Sequence, residues 1–129
     1  MKSYLLDTSV IIDYLRGNPE VVSLLNSLEG NIYSSYICMA ELYEGVNRVS
    51  NSKKMAQIVM SFFATLSGIF GVDEQIAQKF GQIRADLKKK GNVIEDLDLF
   101  LATTCLVNDL TLITQNKKHF NRIDSLSLY

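Results

Sequence analysis

Four acidic residues lie in apolar stretches of this sequence, and they are the side chains best suited to chemistry. Asp7 directly follows the first apolar run, and Glu41 lies within a second apolar segment. Asp96 and Asp98 share a third apolar segment. An ionised carboxylate is costly to place among apolar groups unless a cation offsets its lost hydration. A shared cation site is therefore the leading hypothesis for these acids.

The ligand types available indicate which cation such a site would take. The sequence has one histidine and two cysteines, so carboxylate oxygens must dominate the site. Hard oxygen ligands favour Mg²⁺ or Mn²⁺ over zinc. Several carboxylates within a few ångströms repel one another unless their pKa values rise or a divalent cation binds. A metal centre of this kind activates water and stabilises charge on a phosphoryl oxygen, which is the chemistry of phosphodiester hydrolysis.

Each acid also has a plain structural interpretation. Aspartate is a favoured helix N-cap, which would explain Asp7 or Asp96 without any metal. Asp98 could simply oppose the dipole of a helix in its first turn. Glu41 could lie on a solvated helix face together with Glu44, although its apolar neighbours argue against full exposure. The sequence leaves these alternatives open.

The elements that must position the acids alternate between short apolar strands and helices. Strands are predicted near residues 4–6, 32–35, 69–72 and 111–114, with a short edge strand at 125–129. Helical patterns follow the strands, and one long helix is predicted between a cap at Asp73 and a stop at Gly91. This alternation predicts an α/β fold with a parallel sheet covered on both faces, in which sites lie beyond the carboxyl ends of strands. Asp7 and Asn116 both fall at such ends.

Composition sets the broad class of protein. A chain of 129 residues with 47% hydrophobic and 21% charged residues predicts one globular domain spanning residues 1–129. A net charge of -1 gives no signature of bulk nucleic-acid binding, but it leaves a local basic stripe open. Cys38 and Cys105 lie in apolar segments, which predicts buried thiols and a reducing compartment. Without a signal-like or membrane-length apolar segment, we expect a cytoplasmic protein that makes no membrane contact.

Several basic side chains are candidate contacts to phosphate groups. The weak candidates for substrate binding are Arg84, Lys117, Lys118 and Arg122. A solvated charged face is the plainer interpretation of these residues. His119 lies far from the acids in the sequence, so we expect a surface or RNA contact there rather than a general base.

Five segments in order carry a resemblance to a known family. They read LLDTSVIID at 5–13, AELYEG at 40–45, GQIRADL at 81–87, DLDLFLA at 96–102 and LITQNKKHF at 112–120. Together they resemble a PIN-domain ribonuclease of the VapC-like toxin type. This resemblance implies a three-layer α/β/α sandwich and a Mg²⁺- or Mn²⁺-dependent endoribonuclease that hydrolyses RNA. It also implies a cognate antitoxin that blocks the site, and a homodimer.

The resemblance assigns roles to the acids. Asp7, Glu41 and Asp98 match the family's acidic triad, so they are the expected catalytic residues and metal ligands. Asp7 and Asp98 are the most direct ligands of the metal. Asp96 stands where only some members carry a further acid, so it is a lesser candidate ligand, and a helix cap is its simpler role.

Four polar residues are expected to support the triad. Thr8 and Ser9 follow Asp7, where they can bond to carboxylates or phosphate or merely cap a helix. Ser9 replaces the asparagine most common in the family. Thr114 and Asn116 match the family's polar segment at a strand end, and Asn116 stands where some relatives carry another acid. A second metal position is accordingly less well supplied with ligands.

Other functions fit the residues less well. An aspartyl-phosphate phosphatase needs a second aspartate two residues after the first, and that position is Ser9. A phospho-accepting receiver domain lacks its first acidic pair for the same reason. The alternative outside catalysis is a PIN scaffold that binds RNA or a protein partner without cutting. The intact Asp7, Glu41 and Asp98 argue against that alternative.

Overall fold

A central sheet of four parallel strands organises the protein, whose computed structural model describes residues 1–129. The strands are β1 (Ser3–Leu6), β2 (Asn31–Ser35), β3 (Gly68–Phe70) and β4 (Thr111–Ile113). Their order across the sheet is β3-β2-β1-β4, and every neighbouring pair is parallel. The predicted parallel α/β fold is confirmed.

Seven helices flank this sheet and complete the three-layer α/β/α sandwich. They are α1 (Thr8–Leu15), α2 (Pro19–Ser27), α3 (Tyr36–Val46), α4 (Ser52–Ala64), α5 (Glu74–Lys89), α6 (Asp96–Asn108) and α7 (Lys117–Phe120). None of these helices combines the length and the apolar character that a membrane span requires.

Most predicted boundaries agree with the structure, and two do not. Asp73 caps α5 by accepting a hydrogen bond from the backbone N of Ile76 at 2.9 Å, as predicted. The third strand is shorter than predicted and ends at Phe70. The tail adds only one parallel bridge, from Leu128 to Leu112, instead of an edge strand. Of the two residues predicted as possible caps of α6, Glu95 rather than Asp96 occupies the cap position.

The core surrounds β1, the strand that follows the first residues of the chain. Leu5 and Leu6 are fully buried, because β1 lies between β2 and β4 with helices packed over the sheet. Cys38 and Cys105 are buried free thiols, as predicted. Burial raises the pKa of the Cys38 thiol to about 12, so it is an inert core side chain at neutral pH.

The strand order also determines where a site can form. The chain passes from β1 to β2 on one side, whereas β4 pairs with β1 on the other. In open parallel sheets, ligands bind beyond the carboxyl ends of strands where the order reverses in this way. That place is the gap between the ends of β1 and β4. It is bordered by Asp7, whose backbone N donates to the carbonyl O of Ile113 at 3.0 Å.

Candidate active site

Asp7 is a buried carboxylate held in one orientation at the end of β1. It is only 5% exposed. Its Oδ1 accepts a hydrogen bond from the backbone N of Thr8, and its Oδ2 accepts one from Oγ1 of Thr114, both at 2.7 Å. Asp7 is therefore an N-cap of α1, but it is also tied to the end of β4. None of the ion pairs in the structure includes Asp7, so no cationic side chain offsets its charge.

Glu41 lies at the solvent-facing rim of the same site, on α3. Its Oε1 accepts a hydrogen bond from Oγ1 of Thr8 at 2.7 Å. Thr8 therefore connects two acids, since its backbone N bonds to Asp7 and its hydroxyl bonds to Glu41. Partial burial raises the pKa of the Glu41 carboxyl, and the negative charges of Asp7 and Asp98 raise it further, against the lowering effect of the Thr8 bond.

Asp98 completes the group from the first turn of α6. Its side chain is 23% exposed, and its Oδ2 lies 3.2 Å from Nδ1 of His119. Burial raises the pKa of the Asp98 carboxyl, and the charge of Asp7 raises it further, although His119 acts in the opposite direction. The three predicted triad acids therefore lie within electrostatic reach of one another.

The fourth acid, Asp96, does not share these contacts. Its side chain is 66% exposed and forms a salt bridge with Arg84 of α5. The charges that raise the pKa of Asp98 belong to Asp7 and Glu95. Asp96 therefore differs from the triad acids in being paired with Arg84.

The donor chemistry of the site fits a hard divalent cation. As the side chains stand, no group of three or more His, Cys, Asp or Glu residues is arranged so that it could hold a metal ion. Two features nevertheless fit a cation with its bound water. The site contains carboxylate oxygens whose mutual repulsion a cation would relieve. The hydroxyl of Ser9 is buried without any hydrogen-bond partner, two residues after Asp7.

The polar segment after β4 forms one wall of an open cleft of about 400 Å³. The lining residues, none of them apolar, are Thr114, Gln115, Asn116, Lys117, Lys118 and His119. Thr114 is buried, and its Oγ1 accepts a hydrogen bond from the backbone N of Asn116 at 3.0 Å. The Asn116 side chain makes no capping bond to α7. This cleft adjoins the acids through the contact between His119 and Asp98.

The four basic residues predicted to contact phosphate do not form one cluster. Lys117 and Lys118 line the cleft. Arg84 is paired with Asp96, and Arg122 donates from Nη1 to the backbone O of Val93. The contact of His119 with Asp98 was not predicted, because the residues lie 21 positions apart with no pattern to connect them.

Comparisons with known proteins agree with this geometry. Residues 4–126 match the family described as PIN domain. The sequence is 36% identical to ribonuclease VapC1 of Methanocaldococcus jannaschii over 96% of this chain and 83% of that protein. It is 30% identical to ribonuclease VapC2 of Haemophilus influenzae over 98% of this chain and 96% of that protein.

Solved structures of related proteins share this fold. The fold superposes with a TM-score of 0.90 on a chain of VapBC2 from Rickettsia felis, crystallised with a DNA fragment from their promoter. That match has 27% sequence identity and covers 98% of this chain and 97% of the other. FitAcB from Neisseria gonorrhoeae matches with a TM-score of 0.82 and 33% identity, over 98% of this chain and 96% of the other.

Repulsion within the site predicts that neutralising Glu41 stabilises the metal-free fold. Below its ordinary pKa of 4.5, this carboxyl is protonated in both the folded and the unfolded states and carries no penalty. As the pH rises through its higher folded-state pKa, ionisation against burial and Asp7 reduces stability. Glu41→Gln should therefore raise Tm at pH 7 in EDTA, and the gain should shrink below about pH 4.5.

Thermal melts monitored by circular dichroism across this pH range test the expectation. Glu29→Gln, in the exposed loop between α2 and β2, is the matched control and should leave Tm nearly unchanged. A Glu41→Gln variant with a lower Tm than the parent at pH 7 would show that repulsion does not govern this site.

Proposed function

The chain belongs to the PIN-domain family, and we propose from this that it is a metal-dependent endoribonuclease that hydrolyses RNA phosphodiester bonds. Relatives named ribonuclease VapC match it over nearly the whole chain. The observation that carries the proposal is that Asp7, at the carboxyl edge of the sheet, is linked to Glu41 through Thr8, acts by its charge on Asp98, and has no ion pair of its own. Such a site needs a cation, and a cation there would serve hydrolysis.

Mg²⁺ or Mn²⁺ is the cofactor that these ligands suit. When bound, the metal would supply Lewis acidity at a phosphate oxygen and lower the pKa of water. Asp7 and Asp98 would hold it, and Glu41 would complete the site from the rim.

The chain's own residues supply orientation and proton handling. Thr8 and Thr114 fix the two oxygens of Asp7, so its carboxylate does not have to reorganise when substrate arrives. Glu41 would accept a hydrogen bond from the attacking water, and the hydroxyl of Thr8 orients its carboxylate. Ser9 has a free hydroxyl for bound water or a phosphate oxygen. Asn116, whose side chain makes no capping bond, can orient a ligand at the cleft.

The cleft beside the acids is suited to the RNA backbone. Lys117 and Lys118 can neutralise phosphates, while the lining has no apolar side chain and its one ring, the His119 imidazole, is in contact with Asp98. The cleft would therefore hold RNA mainly through its phosphates.

We also propose a partner and an assembly for this chain. Structural relatives include the toxin and antitoxin complexes called VapBC, which supports a cognate antitoxin as partner. A segment that blocks this site would be favoured if it placed a cationic side chain against the three acids, because a cation relieves their repulsion. The same resemblance supports a homodimer and a single domain over residues 1–129, acting in the cytoplasm. Analytical ultracentrifugation of the chain, with and without the product of a neighbouring antitoxin-like gene, tests both assemblies.

Loss of the Asp98 charge should abolish RNA cleavage while the fold persists. Asp98→Asn should lower the cleavage rate of a defined RNA at least ~100-fold in Mg²⁺ or Mn²⁺, since it removes a preorganised charge at the reacting centre. EDTA should stop the parent. Asp86→Asn is the matched control, because Asp86 lies on α5 and pairs only with Lys90. A parent that binds RNA but never cuts it in either metal would instead be the non-catalytic scaffold.

The two cleft lysines should contribute affinity for RNA but not sequence preference. Lys117→Ala and Lys118→Ala should each reduce the slope of log KM against log salt by about 1, because each removes one phosphate contact. The cleavage positions on a long RNA should stay the same. Lys89→Ala, in the last turn of α5, provides a matched loss of charge. A changed cleavage pattern in either cleft variant would mean that the cleft reads bases.

A further inference from the structure

Two arginines tie down the segment that leads into α6. Arg84 of α5 forms a salt bridge with Asp96, the first residue of α6. Arg122, which follows α7, donates a hydrogen bond from Nη1 to the backbone O of Val93. Because α6 carries Asp98 in its first turn, both contacts act on the segment that positions a site acid.

Arg84 is itself held between two helices. Its guanidinium carbon lies 5.0 Å from the centroid of the Phe80 ring, also on α5. That ring stacks on Phe100 of α6, with centroids 4.1 Å apart and an interplanar angle of 18°. A planar guanidinium can lie over an aromatic ring and still bond a carboxylate at its edge. The side chain of Arg84 is only 30% exposed, so it lies against the protein.

The first turn of α6 has few contacts of its own that would hold it in place. Glu95 occupies the cap position but makes no side-chain hydrogen bond to the helix. The same turn carries Asp96 and Asp98, and the charges of Asp7 and Glu95 both act against ionised Asp98. A helix end with acids, no side-chain cap and a neighbouring buried anion would tend to move away from that anion. The ion pair between Arg84 and Asp96 joins this turn to α5 and so restricts its movement.

We propose that Arg84 is a positioning residue, which acts through Asp96 to hold the first turn of α6 so that Asp98 stays in the acidic site. Arg84 then contacts no RNA phosphate, and Asp96 is not a metal ligand. Both roles differ from those expected from the sequence. The inference rests on the proposed function for its consequence, which is metal affinity, but its structural part can be tested without any metal.

A double-mutant cycle separates positioning from direct roles. The variants are Arg84→Gln, Asp96→Asn and the double variant, and Lys90→Gln is the control because its ion pair with Asp86 stays within α5. Calorimetric titration with Mn²⁺ should show each single variant binding about 10-fold more weakly than the parent, as for partners that orient ligands. The double variant should bind no more weakly than either single variant, because both substitutions break one interaction. Affinity for a short RNA in EDTA should stay within twofold of the parent.

Hydrogen exchange in EDTA measures the opening of the first turn of α6 without metal and without catalysis. The amide of Leu99 donates to the carbonyl O of Glu95 at 3.0 Å, in the first turn of α6. This amide should exchange several-fold faster in all three variants, and at the parent rate in Lys90→Gln. If Arg84→Gln does not fold, Arg84→Lys keeps the charge but loses the planar group, and should show a smaller change in the same direction.

Each contrary result overturns the inference in a recognisable way. An unchanged exchange rate at Leu99 in the variants would show that the ion pair between Arg84 and Asp96 does not stabilise the first turn of α6. Additive losses of Mn²⁺ affinity would make Asp96 a ligand in its own right, and a loss of RNA affinity in Arg84→Gln alone would make Arg84 a substrate contact. A parent that neither binds Mn²⁺ nor cuts RNA would end the proposed function, while the exchange experiment would still decide the role of Arg84.

Discussion

Electrostatic repulsion among three carboxylates is the constraint on which the rest of this structure depends. Asp7 is buried without a cationic partner, and burial together with the charge of Asp7 raises the pKa of both Glu41 and Asp98. A chain free to relax would separate these groups, since the charge of Asp7 disfavours the ionised forms of Glu41 and Asp98. The fold instead holds them near one another, and we interpret this stored cost as the source of affinity for a divalent cation.

The three acids are held by elements of different kinds. Asp7 follows the central strand, and its backbone and both carboxylate oxygens are bonded, so the sheet determines its position. Glu41 lies on a helix rim, where a single hydroxyl, that of Thr8, orients it. Asp98 depends on where α6 begins, and that start has no side-chain cap. Asp7 is therefore held most firmly and Asp98 least firmly. The proposed role of Arg84 is to restrain the start of α6, which carries Asp98.

The features that could be predicted from the sequence are those that depend on residues close together in the chain. The parallel fold and the place of Asp7 were predictable, because an apolar strand ending in an acid is a local pattern. The cap of α6 was predicted only as Glu95 or Asp96, because local preference does not distinguish these adjacent acids. The contacts from Arg84 to Asp96 and from His119 to Asp98 join different helices with no shared period, so only the packed structure reveals them. The single bridge at Leu128 depends likewise on the exposed edge of β4.

The central claim is that Asp7 and Asp98 hold one divalent cation, with Glu41 completing its surroundings. Anomalous diffraction from crystals grown with Mn²⁺ tests it most directly, because the metal's own signal locates it. The account predicts one strong peak about 2.1 Å from carboxylate oxygens of both Asp7 and Asp98. A strong peak at Asp96, or a fully occupied Mn²⁺ elsewhere with none between Asp7 and Asp98, would contradict it.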